Sequence, residues 1–177
     1  TATATPTPTS TPSGNLILNP SVENGTTLPT NWAKGGWGTN TSVLSYPAEA
    51  NDGSKGMKIV VSAFTNGDAK WFFDDVTVKP STQYTFSDYY KSTIASELVI
   101  RYTSTTNAQT YVSIANPAIA SNWTKAEVNF TTPANVKSMT VFHLIAKVGE
   151  LTTDNYYLNE TAIATPTPTP TPVPTAT

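Results

Sequence analysis

The chain contains no cysteine and a single histidine among its 177 residues. The lack of cysteine excludes a disulfide framework, a thiolate nucleophile and a thiolate zinc site. Charged residues make up only 12%, and the net charge of −2 offers no basic surface to nucleic acid or to an anionic membrane. No apolar run approaches the ~20 residues that a membrane-spanning helix needs. Stability must therefore come from packing, helped at most by a hard metal ion.

The two ends of the chain have a different composition from the middle. Residues 1–13 and 163–177 are rich in threonine and proline, which alternate along much of both stretches. Such segments have no apolar face to bury and favour an extended conformation, so we predict disordered linkers flanking one domain at residues 14–162. Linkers on both sides suggest an internal module of a longer protein, secreted or attached to the cell surface.

Short runs rich in Val, Ile, Thr, Tyr and Phe, separated by turn residues, recur between the linkers. Helical periodicity of any length is missing. In Thr124–Thr131, apolar and polar residues alternate, which predicts a strand with one face in water. The pattern predicts an all-β fold, a single jelly-roll sandwich of two antiparallel sheets. The predicted strands are Asn15–Leu18, Ser42–Tyr46, Met57–Ser62, Ala69–Val78, Gln83–Lys91, Glu97–Thr103, Thr110–Ile114, Thr124–Thr131, Ser138–Ala146 and Asn155–Leu158.

Six stretches, in this order along the chain, resemble the jelly-roll carbohydrate-binding modules of families 4, 9, 16 and 22. They are Asn15–Gly25, Leu28–Trp32, Asp52–Ile59, Val78–Ser87, Trp123–Lys125 and Gly149–Leu158. Each stretch alone is a weak signal, and the ordered set spans almost the whole module. The resemblance implies a sugar-binding groove on one sheet. It also fits the Thr/Pro linkers, which are common in the multi-modular enzymes that carry such modules.

The resemblance further implies one structural calcium ion, Ca²⁺. The matching positions are Glu23, Asp154 and the backbone carbonyl of Lys55, with Asn19, Ser21 and Asp52 as further candidates. Calcium takes six to eight oxygen ligands, usually carboxylates supplemented by carbonyls. The alternative interpretation is that Glu23 and Asp154 are ordinary acids of a turn and a strand end.

Tryptophans are the candidates for sugar contacts, because a sugar ring stacks its apolar face on a flat aromatic side chain. Trp32 and Trp123 fit core positions. Trp37 lies in a Gly-Gly-Trp-Gly stretch, and Trp71 begins a Trp-Phe-Phe run. We predict that Trp71 faces outward into the groove, because Phe72, Val76 and Val78 would then share the buried face of one continuous strand.

Polar groups of the groove are expected on neighbouring strands. Glu97 and Arg101 lie opposite the apolar parity of their strand and are predicted to face the ligand. Asp88 and Tyr90 are also assigned outward, although Tyr84 and Phe86 share their face, which leaves the parity open. His143 could be a satisfied structural residue or could donate a hydrogen bond to the ligand from the groove floor, between core-facing neighbours.

Catalytic motifs are missing from the sequence. There is no Gly-x-Ser-x-Gly nucleophile elbow, no His-Glu-x-x-His zinc motif and no phosphate-binding glycine-rich loop. The sequence thus favours a non-catalytic, monomeric module that binds a plant cell-wall polysaccharide (xylan, β-glucan or mannan) and is covalently linked to catalytic modules. One alternative is a structural or adhesion sandwich without a sugar ligand. The other is a jelly-roll glycoside hydrolase or lyase.

Overall fold

The computed structural model describes residues 14–161, which form eleven β-strands and no helix. Both predicted linkers lie outside these residues. Within the described range no helix could cross a membrane. The strands are β1 (Trp32–Trp37), β2 (Asn40–Ala48), β3 (Gly56–Phe64), β4 (Asp68–Phe73), β5 (Val76–Thr77), β6 (Gln83–Ser92), β7 (Glu97–Ser104), β8 (Gln109–Ala115), β9 (Ala120–Thr131), β10 (Val136–Ile145) and β11 (Gly149–Glu160).

Two antiparallel sheets pack face to face, which confirms the predicted all-β sandwich. The first sheet has the order β1-β4-β10-β7-β8, with the short β5 paired to β10. The second has the order β2-β3-β11-β6-β9. The core between them buries large side chains from both sheets, among them Trp71, Phe73, Phe86, Ile59 and Leu151. Burial of this apolar surface is the main source of the stability of a domain without disulfides.

Strand β1 is the element that the sequence pattern missed. Its Gly35-Gly36 pair is typical of a turn, yet both residues pair with β4. Gly35 lies so close to the Phe72 ring that a Cβ atom there would come within 2.8 Å of Phe72 Cε1. Glycine at this position therefore allows the Phe72 side chain to approach the backbone closely. Trp37 is the last residue of the strand.

The sequence predicts one continuous strand over Ala69–Val78, whereas the structure has two strands, β4 and β5, separated by Asp74 and Asp75. The inside–outside alternation therefore restarts at the break, and Val76 and Val78 place no constraint on the side chains of β4. Trp71 points inward with 2% of its surface exposed, and its Nε1 donates to the carbonyl of Lys58 at 3.3 Å. The predicted outward orientation of Trp71 is wrong for this reason.

Asp88, Tyr90 and His143 also face the core. The predicted outward orientation of Asp88 and Tyr90 is therefore wrong. Of the two interpretations of His143, the structure supports the satisfied structural residue and not the hydrogen bond to a ligand from the groove floor. Asp88 and Tyr90 follow the parity of Tyr84 and Phe86, whose burial fixes that face of β6. The buried Asp88 is compatible with this because its Oδ2 lies 2.6 Å from Nδ1 of His143 on the opposite sheet. On β10 His143 points inward, while its neighbours Phe142 and Leu144 line the groove on the outer face of the sheet.

Candidate functional site

A groove of about 780 Å³ lies on the outer face of the first sheet, a volume typical of small-ligand sites. Neighbouring strands β4, β10 and β7 supply its floor, and the edge strands β1 and β8 its rims. Its aromatic lining consists of Trp37, Phe72, Tyr111 and Phe142, and its charged lining of Lys34, Asp68, Lys70, Glu97 and Arg101.

The two rims of the groove each carry an exposed aromatic ring. Trp37 on β1 is 65% exposed and Tyr111 on β8 is 60% exposed. Four strand spacings separate these edge strands, or roughly 19 Å across the sheet. Large apolar rings left in water at both sides of a groove are suited to stack on a ligand with flat apolar faces.

The floor of the groove combines aromatic rings with cations. Phe72 and Phe142 meet edge to face with ring centroids 5.5 Å apart, and Tyr111 lies 6.2 Å from Phe142. The guanidinium of Arg101 lies 5.5 Å from the Phe72 ring and 5.7 Å from the Phe142 ring, and Lys70 Nζ lies 5.0 Å from Phe142. The charged groups of Lys70 and Arg101 therefore cover Phe142 and form part of the surface offered to a ligand.

Three of the predicted groove residues, Trp37, Glu97 and Arg101, lie together along this surface. The other four do not reach the groove. Trp71 and His143 lie on the inner face of the first sheet, and Asp88 and Tyr90 lie on the inner face of the second sheet. Sequence reasoning missed Phe72, Tyr111 and Phe142. A signal for Tyr111 was present, since it shares one face of β8 with the polar Gln109 and Ser113.

A hydroxyl, an imidazole and a carboxylate form a chain behind the groove floor. Ser96 Oγ lies 2.8 Å from His143 Nε2, and His143 Nδ1 lies 2.6 Å from Asp88 Oδ2. This order is that of a nucleophilic triad, which needs an exposed hydroxyl to attack a substrate. All three residues are buried, so the chain links the two sheets and does not face a ligand.

The predicted calcium residues lie where the loop between β2 and β3 meets the N-terminal segment and β11. The Glu23 carboxylate accepts hydrogen bonds from the Ser54 hydroxyl and from the backbone N–H groups of Ser54 and Lys55. These bonds, the Ser54 hydroxyl first, lower the pKa of Glu23. Lys55 turns its Nζ to the carbonyls of Glu23 and Gly25, at 2.8 Å each.

Asp154 lies buried beside the same loop. Its carboxylate accepts from the backbone N–H groups of Asn51, Asp52 and Asn155. Burial raises the pKa of Asp154, the three hydrogen bonds oppose the shift, and the negative charge of Glu23 adds to it. Residues 14–161 contain no cluster of three or more His, Asp or Glu side chains suited to a metal. An ion here would take most of its ligands from carbonyls.

Several solved structures with similar folds are carbohydrate-binding modules. A family 16 carbohydrate-binding module is 26% identical with a TM-score of 0.56, over 81% of this chain and 99% of that one. The CBM22-1 xylan-binding domain of Paenibacillus barcinonensis Xyn10C is 13% identical with a TM-score of 0.58, over 81% and 93%. The second likeness shows the fold alone.

A larger protein also contains this fold. The enzymatically active domain of bacteriophage CBA120 tailspike protein 4 is 14% identical with a TM-score of 0.67 over 83% of this chain. The chain spans only 21% of that structure. No curated protein matches the chain.

The family comparison covers the whole of the groove. The model of a family 4/9 carbohydrate-binding domain matches residues 14–147, which include every strand that lines it. The chain belongs to this family of carbohydrate-binding domains.

Proposed function

We propose that this domain binds a segment of a plant cell-wall polysaccharide in the groove between Trp37 and Tyr111. The observation that carries the proposal is the pair of exposed aromatic rings at opposite rims, with a polar and aromatic floor between them. Stacked rings would hold the apolar faces of the sugars, while Lys70, Glu97 and Arg101 offer hydrogen bonds to their hydroxyls. Xylan, β-glucan and mannan chains all present such faces.

Binding at such a site is weak for each sugar, because a sugar hydroxyl exchanges bonds to water for bonds to protein with a small net gain. The biological use of a weak module is proximity. Linked to a catalytic module in a secreted or surface-attached protein, it would raise the effective concentration of substrate near that module. We infer that the domain acts as a monomer in this role.

The groove supports binding better than hydrolysis. Glycoside hydrolysis generally uses two carboxyl groups on either side of the scissile bond. Of the acids in the groove lining, Asp68 is occupied by an ion pair with Lys70 at 2.5 Å, which leaves Glu97 as the free carboxylate. We therefore propose a non-catalytic domain. Release of reducing sugar from polysaccharide by the purified domain would contradict this.

Replacing Trp37 by alanine tests the binding proposal. We expect Trp37→Ala to weaken binding to a soluble polysaccharide by roughly 1–3 kcal/mol, about 5- to 150-fold, because a stacking platform is lost. The melting temperature should stay nearly unchanged, since the ring is 65% exposed. Affinity electrophoresis against a panel of xylan, β-glucan and mannan measures the loss of binding, and thermal unfolding measures the melting temperature.

Trp123→Ala is the matched control. Trp123 is partly exposed and lies outside the core, so its predicted core position is wrong. It lies on β9 in the other sheet, with Lys91 Nζ 5.4 Å from its ring. Its loss should leave polysaccharide binding intact. Equal retardation of the wild type and Trp37→Ala on every binding polysaccharide would contradict the groove. No retardation of the wild type would favour the structural or adhesion role.

We also propose a structural calcium ion held by Glu23, Asp154 and neighbouring carbonyls. The donor set fits a hard cation: two carboxylates that repel each other, one of them buried, lie beside carbonyls that already accept the cationic Nζ of Lys55. When bound, the ion would offset the cost of burying Asp154 and would tie the N-terminal segment to β11.

Calcium should raise the melting temperature, and a chelator should lower it. Binding to the folded state alone stabilises by about 2.7 kcal/mol at an ion concentration 100 times the dissociation constant. Asp154→Asn keeps the shape of the side chain and should abolish most of the calcium response. Identical melting curves in calcium and in excess chelator would remove the metal from the proposal without affecting the groove.

A further inference from the structure

Glu97 is the one groove acid without a partner among residues 14–161. It is half-buried at the start of β7, where it faces Leu144, which in turn faces Lys70 across the sheet. Within the described residues no side chain or backbone group hydrogen-bonds or ion-pairs with its carboxylate. Its negative charge is therefore available to whatever enters the groove.

The cations of the groove are, by contrast, neutralised or turned away. Lys70 Nζ is paired with Asp68 at 2.5 Å, and Arg101 Nη2 is paired with Asp75 at 2.5 Å. Lys34 is exposed and also lines the groove, but its Nζ lies 5.2 Å from the inward-facing Trp71 ring and donates to the carbonyl of Leu44 on the second sheet at 2.8 Å.

Asp75 does not line the groove, but it forms the ion pair that holds the Arg101 side chain in place. It sits at the break between β4 and β5, where the chain leaves the sheet. Its carboxylate also accepts from the hydroxyls of Thr103 and Ser138, at 3.1 and 3.2 Å. These bonds hold the carboxylate beside the guanidinium. The negative charge of Asp75 therefore offsets the positive charge of Arg101.

We propose that Glu97 and Asp75 together set the specificity of the groove for uncharged glycans and exclude polyuronates. The inference rests on the proposed function of the groove. A free carboxylate accepts short, charge-assisted hydrogen bonds from sugar hydroxyls, and it repels a ligand that carries carboxylates of its own. Glu97 is the direct specificity residue, and Asp75 acts through Arg101 as a positioning residue.

The test compares neutral and acidic chains, for example xylan free of uronate substituents, β-glucan and galactomannan against polygalacturonate and alginate. At low salt the wild type should bind at least one neutral polysaccharide and neither polyuronate. Glu97→Gln should bind the neutral chain roughly ten-fold more weakly, since a charge-assisted bond becomes a neutral one. The same variant should gain measurable retardation on polyuronates.

Asp75→Asn separates charge from direct contact. It frees the charge of Arg101 without removing a group that touches the ligand, so polyuronate binding should rise while neutral binding changes less than in Glu97→Gln. Both gains should shrink in 1 M salt, where the screening length falls to about 3 Å. Glu127→Gln is the control, because Glu127 lies on β9 of the other sheet, paired with Lys125.

The outcomes distinguish this inference from the proposed function. If the wild type binds neutral chains and Glu97→Gln leaves both classes unchanged, the inference is overturned and the groove stands. Wild-type binding to polyuronate in preference to neutral chains also overturns it. If the wild type binds neither class, both the inference and the proposed function fail.

Discussion

Trp71→Ala should lower the free energy of unfolding by about 3–5 kcal/mol, the usual cost of removing a large aromatic side chain from a packed core. Trp71 is 2% exposed, and its indole N–H donates to the carbonyl of Lys58 on the opposite sheet. The substitution would leave a cavity between the sheets and remove the hydrogen bond that the indole makes across them. Urea or thermal unfolding followed by tryptophan fluorescence and circular dichroism measures the loss.

Trp37→Ala provides the contrast for this experiment, because the two tryptophans lie on neighbouring strands with opposite exposure. Trp71→Ala should impair stability and leave polysaccharide affinity near normal in the folded fraction, whereas Trp37→Ala should do the reverse. A Trp71→Ala variant with unchanged stability and lost binding would place Trp71 in the groove and overturn the orientation of β4.

His143→Leu should cost about 3–5 kcal/mol of unfolding free energy, because it leaves the buried carboxylate of Asp88 without its partner. Asp88 Oδ2 has its contact with His143 Nδ1, and Asp88 Oδ1 has no hydrogen-bond partner within the described domain. A buried carboxylate without compensation is strongly unfavourable. The loss is measured by denaturant unfolding at neutral pH.

The double variant Asp88→Val/His143→Leu should recover most of that loss. Replacing both members of a buried pair by apolar side chains of similar volume is often neutral or stabilising. Ser96 loses its hydrogen bond in both variants, so its contribution cancels in the comparison. A double variant no more stable than His143→Leu would show that packing around the imidazole, and not the uncompensated carboxylate, carries the energy.

The groove and the core share the same strands, which makes register decisive for function. On β4, Phe72 lines the groove while Trp71 and Phe73 are buried in the core. On β10, Phe142 and Leu144 line the groove while His143 points inward. A shift of one residue in either strand would exchange the two sets of side chains.

The amino-acid sequence by itself determined the class of fold and the family. Short β-branched and aromatic runs separated by turn residues are local signals, and they predicted most of the strands and the two-sheet sandwich correctly. Ordered motifs along the chain identified the carbohydrate-binding resemblance. In β7 the strict alternation of Leu98, Ile100 and Tyr102 also placed Glu97 and Arg101 outside, as the structure has them.

Only the tertiary structure decided which aromatic residues meet the groove. Strand β1 was not predicted because its glycines are typical of a turn. Gly35 makes room for the Phe72 ring of β4, a contact that the sequence of β1 alone does not reveal. The break at Asp74 and Asp75 separates β4 from β5, so the burial of Val76 and Val78 does not determine which way Trp71 faces. Asp88 can be buried only because His143, 55 residues later in the chain, lies opposite it on the other sheet. Alternation gives two candidate faces, and the choice between them depends on partners from distant parts of the chain that the local pattern does not contain.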